Sequence, residues 1–129
     1  MQKPRLAYEI TLEKPTFDYI QRASEILERY NIYSLTLPFE DRNINTHLVV
    51  ESKDLERSID LLRANGFDPM EKQVLVMEIE NRTSKLAEIV RKISNQKINL
   101  LYAFSVSINP STSYLLLGTS DNKKAIDLV

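Results

Sequence analysis

The chain has no cysteine, one histidine and two glycines, and each shortage closes a class of function. Without cysteine there is neither a disulfide framework nor a thiolate metal site. His47 has no second imidazole to join it on a metal, and on a strand beside Leu48 it reads as a surface or half-buried residue. An enzyme on this scaffold needs a nucleophile with a base, a metal cluster or a glycine-rich phosphate cradle. None is legible, so no catalytic residue, no metal and no cofactor is expected. Charge of one sign is missing too: 17 basic residues meet 18 acidic ones for a net charge of −1, without the basic excess of a nucleic-acid binder. No apolar run approaches the ~20 residues that span a bilayer. Glu9 interrupts the apolar stretch that a secretion signal would need after Met1–Arg5. These absences predict a cytoplasmic protein with neither nucleic acid nor membrane as partner.

What the chain does contain is a repeat. Thr46–Leu62 (THLVVESKDLERSIDLL) and Ser113–Val129 (SYLLLGTSDNKKAIDLV) match without a gap at an offset of 67. Leu48/Leu115, Asp54/Asp121, Ile59/Ile126, Asp60/Asp127 and Leu61/Leu128 are identical, and most other positions exchange like for like. At the same offset the alternating series Tyr8, Ile10, Leu12 matches Leu75, Met77, Ile79. With a one-residue slip, Ile20, Ala23, Leu27, Ile32 and Leu35 pair with Leu86, Ile89, Ile93, Ile98 and Leu101. Helical spacing in the first three of each series gives one apolar stripe per helix. Duplication explains all of this at once.

Each copy reads as β-α-β-β-α. The first copy predicts a strand over Leu6–Glu13, a helix over Phe17–Tyr30, and a strand over Ile32–Phe39. A turn at Glu40–Asn43 and a strand over His47–Glu51 follow. Its last helix is opened by Ser52 as N-cap with Asp54 in the first turn, and ends at the left-handed stop Asn65-Gly66. Phe67–Lys72 can then form a fourth strand. The second copy predicts strands over Val74–Glu80, Ile98–Ser107 and Tyr114–Gly118, a helix over Ser84–Gln96, a turn at Asn109–Ser111, and a final helix opened by Thr119. It has no counterpart of the fourth strand. The fold class expected is therefore α+β: two tandem ferredoxin-like βαββαβ units with antiparallel sheets, residues 1–72 and 73–129, the second lacking its final strand. Leu48–Val50, Leu75–Met77 and Leu115–Leu117 are apolar at consecutive positions, hence on both faces of their strands. One helical layer covers one face, so a homo-oligomer, most simply a two-fold dimer, is expected.

Val74–Val129 resembles an ACT domain, the small-ligand module attached to many enzymes of amino-acid metabolism. The resemblance rests on a strand ending in Asn81-Arg82, a helix beginning Lys85-Leu86-Ala87-Glu88-Ile89, Ile98-Asn99 leading into a strand with Tyr102-Ala103-Phe104, and the closing Lys123–Leu128. The first copy carries a weaker version. The resemblance implies amino-acid binding near the turn between first strand and first helix, often at an interface between two such domains. Carried onto this chain, that turn is Asn81, Arg82, Thr83 and Ser84, with Asn99 at the mouth of the second strand. Helix-start N–H groups suit a carboxylate, and Asn oxygens can accept from an ammonium. The chain departs from the family where amino-acid-binding members carry glycine: Thr83-Ser84 in one copy, Pro15-Thr16 in the other. A Cβ there narrows the pocket.

Each of these residues also has a plainer reading. Asn81, Thr83 and Ser84 are ordinary helix-capping types, and Asn99 can simply close a turn. Glu78 and Glu80 share a strand face but read as solvated strand ends, with Glu13 the counterpart of Glu80. Arg91-Lys92 and Lys123-Lys124 alternate with Glu88 and Asp127 as a mixed solvated surface. Tyr102 and Phe104 share a face as in RNA-binding sheets, yet lack the flanking basic residues and glycines, so packing explains them better. The function expected is a non-catalytic regulatory or sensor module that binds an amino acid or related small ligand at an ACT interdomain interface. The alternative is a pure interaction or oligomerisation module whose pockets have closed.

Overall fold

The computed structural model describes residues 3–12, 19–37 and 46–129. The fold is α+β, the pairs β1–β3, β2–β3, β4–β6 and β5–β6 are antiparallel, and by contacts the chain forms two compact units. Residues 7–72 make one unit; residues 73–129, joined by Arg5 and Leu6, make the other.

The 7–72 unit holds β1 (Arg5–Leu12) from Ala7 onward, α1 (Tyr19–Arg29), β2 (Ser34–Leu37), β3 (Thr46–Glu51), α2 (Leu55–Ala64) and the first residues of β4 (Pro69–Glu80). β3 lies between β2 and β1, with Tyr8 opposite Val50 and Ile10 opposite Leu48. Opposite residues in an antiparallel pair share a face. Ile10, Leu48 and Val50 meet Ala23 and Leu27 of α1 and Ile59 and Leu62 of α2 in a single core, so both helices cover one face. The guanidinium of Arg22 lies 5.2 Å from the Phe67 ring centroid and shields the edge of that core.

The start of α2 departs from expectation. Ser52–Asp54 winds as a 3₁₀ turn and Asp54, not Ser52, occupies the N-cap, without a side-chain cap bond. Instead Ser58 Oγ reaches back to Asp54 O at 2.6 Å. The end of α2 is as read: Gly66 has φ +86°, and Phe67 N donates to Leu62 O at 3.0 Å. The strand expected over Phe67–Lys72 begins at Pro69 and runs unbroken through the strand expected over Val74–Glu80, a single element of twelve residues. The expected turns at Pro15-Thr16 and Glu40–Asn43 lie outside the described residues, as does Glu13.

The second unit holds the rest of β4, α3 (Thr83–Asn95), β5 (Leu100–Ser107), β6 (Thr112–Thr119) and α4 (Asn122–Ile126). β6 sits between β4 and β5. Leu75 faces Leu117 and Met77 faces Leu115, and these four pack with Ile89 and Ile93 of α3 and Ala125 of α4. The opposite face is apolar as well: Val76 pairs with Leu116, 3% and 1% exposed, beside a half-buried Phe104. The cap of α4 also differs from expectation. Asp121 is the N-cap, accepting from Lys124 N at 3.1 Å. Thr119 serves Asn122, whose Oδ1 takes its N–H and hydroxyl at 3.0 and 2.7 Å. Asn122 Nδ2 then holds Gln73 O at 3.0 Å, tying the short helix to β4.

The backbone agrees with the sequence repeat at one further point. Asn31 and Lys97, at positions related by the slipped offset, both have positive φ, 59° and 60°. Among the described residues no helix is long and apolar enough to cross a membrane.

Leu6 is half-buried and packs against the core of the 73–129 unit. Leu6→Ala should cost about 1–2 kcal/mol, and hydrogen exchange should locate the lost protection in residues 73–129 rather than 7–72. Gly118 lies beneath the ring of Tyr102, and a Cβ there would overlap that ring. Gly118→Ala should therefore cost about 1–3 kcal/mol, and chemical denaturation of the double variant with Tyr102→Ser should show the two effects to be non-additive.

Candidate functional site

β4 ends in a turn rather than running on because Asn81 is held from the side. Its backbone N–H donates to Ser111 O at 2.9 Å. Its side-chain amide points at three carbonyl oxygens, of Asn109, Pro110 and Thr112, at 3.1, 3.2 and 3.4 Å. Its side-chain oxygen accepts from the Ser113 hydroxyl, a residue only 3% exposed. The hairpin it grips is itself knitted by Asn109, whose Oδ1 accepts from Ser111 N, Ser111 Oγ and Thr112 N at 2.9, 2.8 and 2.9 Å. This is the side-chain-to-backbone pattern by which Asn stabilises turns. The sequence marks Asn109–Ser111 as a turn, but Asn109, Ser111 and Ser113 as the sockets of Asn81 are visible only in three dimensions.

Arg82 occupies the N-cap of α3 in extended conformation, makes no side-chain cap bond, and pairs with Glu80 at 2.8 Å on the surface. Thr83 and Ser84 follow, both exposed. Their N–H groups and hydroxyls have no partner among the described residues, as befits the first turn of a helix. The turn thus offers a guanidinium, two hydroxyls and open N–H groups at the positive end of a helix dipole. Further along α3, Lys92 hydrogen-bonds Glu88 at 3.4 Å and Lys85 stands 3.7 Å away. That hydrogen bond, with the charges of both lysines, holds the Glu88 carboxyl below its usual range. The support it gives is complete above the ordinary carboxylate range and fades on acidification through the lowered value.

Asn99 is elsewhere. Its backbone exchanges bonds with Ser120: Asn99 N to Ser120 Oγ at 2.9 Å and Ser120 N to Asn99 O at 2.9 Å. Ser120 follows the last residue of β6, whereas Asn81 is clasped at the first residues of that strand. Eight residues of strand separate the two ends, about 25 Å. The structure brings Asn81, Arg82, Thr83 and Ser84 together at one end and leaves Asn99 at the other, its side chain exposed and unpartnered. Grooves of about 570 Å³ between α2 and Pro69–Glu71, and about 430 Å³ beside Asn31–Ser34, are lined by none of the five. Among the described residues no cluster of three His, Asp or Glu is placed to hold a metal.

No family model matches the sequence, and neither does any curated protein. Solved structures do match in fold. A protein of Bacteroides thetaiotaomicron superimposes with a TM-score of 0.76 at 16% identity, covering 98% of this chain and 88% of the other. The ligand-free regulatory subunit of aspartate kinase from Thermus thermophilus gives 0.65 at 8% identity, covering 98% and 94%. The fold is of the ACT type. Escherichia coli aspartokinase III, solved with lysine and aspartate, carries the same fold over 30% of its length, with a TM-score of 0.58 and 12% identity over 98% of this chain. The ACT-type likeness thus extends over both units and agrees with the resemblance read from Val74–Val129, while the first copy shows it only weakly in sequence.

The Asn81 clasp sets the stability of this end. Asn81→Ala should cost about 1 kcal/mol, and Asn81→Asp more, because a carboxylate would face three carbonyl oxygens. Hydrogen exchange should show faster opening of Ile108–Thr112 with the body of α3 unchanged.

Proposed function

We propose that the chain is a non-catalytic, cytoplasmic regulatory module made of two ACT-like domains, 1–72 and 73–129, that binds an amino acid or a related small ligand at an interdomain interface. In this reading the second domain lacks a final strand of its own, and the opening of β1 stands in for it.

The observation that carries the reading is the start of α3. Thr83 and Ser84 present unpartnered N–H groups and hydroxyls beside Arg82, on a turn that Asn81 holds rigid. A ligand carboxylate meets donors there without displacing any existing bond. Asn81 itself is committed to the hairpin, so it orients the turn rather than receiving the ammonium. Asn99, with a free side-chain oxygen, can accept from the same ligand only when supplied by another copy. Lysine heads the panel of candidates, since it is bound in the aspartokinase of the same fold.

A second reading, a pure interaction module, is favoured by one observation. Side chains fill the glycine position of amino-acid-binding family members, and the turn's one amide is fully occupied.

Thermal melting against the twenty amino acids separates the two. A true ligand at 100 times its dissociation constant should add about 2.7 kcal/mol of stability, and Ser84→Tyr should abolish the shift without lowering the unliganded midpoint. Absence of a shift with every member overturns the ligand reading.

A further inference from the structure

Asn65 is the one asparagine of the chain that glycine follows. Such a pair is chemically distinct, because glycine has no side chain to keep its backbone nitrogen from the preceding side-chain amide. Both residues are exposed. The space beside Gly66 is open, with no atom within 4 Å of where a Cβ would stand. Three hydrogen bonds hold this end of α2 in place. The Asn65 side-chain amide donates to Leu61 O at 2.8 Å, Gly66 N to Arg63 O at 3.1 Å, and Phe67 N to Leu62 O at 3.0 Å. The left-handed Gly66, φ +86°, then carries the chain to Phe67, which is 5% exposed in the core of the 7–72 unit.

We propose that Asn65 is a site of self-modification, its side-chain amide lost through attack by Gly66 N, and that opening of the last turn of α2 gates the reaction. In the attack Gly66 N gives its proton to solvent hydroxide and forms a bond to Asn65 Cγ. The Cγ–Nδ2 bond breaks, and the nitrogen takes a proton from water and leaves as ammonia. Water then opens the cyclic imide at either carbonyl. Breaking the bond to Cγ gives aspartate; breaking the bond to the main-chain carbon gives isoaspartate. The native bonds oppose the first step. The attacking nitrogen is committed to Arg63 O and the departing amide to Leu61 O. Releasing both is the fraying of a helix end, a local opening rather than unfolding of the unit. The products act back on the fold. A carboxylate at position 65 cannot donate to Leu61 O, and it stands at the negative end of the helix dipole. Isoaspartate also inserts a main-chain carbon just ahead of Gly66, displacing the link that seats Phe67. The modification therefore loosens the 7–72 unit at its Phe67 anchor.

Peptide mapping by mass spectrometry of the full chain, aged at mildly alkaline pH, tests the site. Asn65 should convert ahead of every other asparagine and yield both products. Conversion should be about tenfold or more slower in the folded chain than in guanidinium, since two hydrogen bonds must open first. Phe67→Leu should bring the folded rate toward the unfolded one and leave the unfolded rate unchanged. Should that variant not fold, Arg22→Ala, which removes the cation over the Phe67 ring, gives the same comparison. Asn65→Asp should lower the melting midpoint and speed hydrogen exchange at Gly66 and Phe67. The inference is overturned by another asparagine converting first, by equal folded and unfolded rates, or by an Asn65 that stays intact in the folded chain. An Asn65→Asp chain with unchanged midpoint and exchange overturns it as well.

Discussion

The register of β4 is the constraint on which the two units depend. A strand shows successive side chains to opposite faces, so a slip of one residue exchanges every inward side chain for an outward one. β4 contributes Pro69–Lys72 to one unit and Gln73–Glu80 to the other. Within the 73–129 unit that register directs Leu75 and Met77 into the core they share with Ile89 and Ile93 of α3. β1 is divided in the same way after Leu6. The 7–72 unit is one contiguous stretch whose two limits fall inside β1 and β4, whereas the other unit is assembled from two stretches, one ending at Leu6 and one beginning at Gln73, so sequence repeat and structural partition do not coincide residue for residue.

The polar end of the 73–129 unit works by the same economy. A single amide joins three carbonyl oxygens and a buried hydroxyl, fixing the β4–α3 turn against the β5–β6 hairpin. Because that amide is consumed in holding, the groups left with hydrogen-bonding capacity at this end are the first N–H groups of α3 and the two hydroxyls of Thr83 and Ser84, beside an Arg82 guanidinium already paired with Glu80. Rigidity matters here, since donors already aimed lose little freedom when a ligand arrives.

Much of the fold was legible in the chain itself. The alternation Tyr8, Ile10, Leu12 and the helical series Leu86, Ile89, Ile93 named the right elements, and Asn65-Gly66 named its stop. Capping was misplaced at Ser52 and Thr119 for a physical reason. Both hydroxyls stand where a helix could begin, but the backbone first turns once more, and an aspartate two residues on takes the N-cap position. The fusion of two short strands into β4 was invisible because no turn residue was needed and none was present. As for the site, Asn81 was singled out by type and place, yet its partners lie 28 to 32 residues away in sequence. The distance between Asn81 and Asn99 likewise follows from strand direction, which local pattern does not encode.

The left-handed residues at the two helix ends carry a different kind of information. Asn31 and Lys97 hold nearly the same φ while sharing neither size nor charge, so the backbone shape at these two corresponding positions does not depend on side-chain identity. Asparagine tolerates that conformation through its short polar side chain, whereas lysine bears its full cost. The chain's glycines sit at Gly66 and Gly118, leaving Lys97 as a strained joint directly ahead of the core residue Ile98. A fold that keeps such a joint has room to be made firmer by one substitution at the far end of α3, with the turn that opens the helix left untouched.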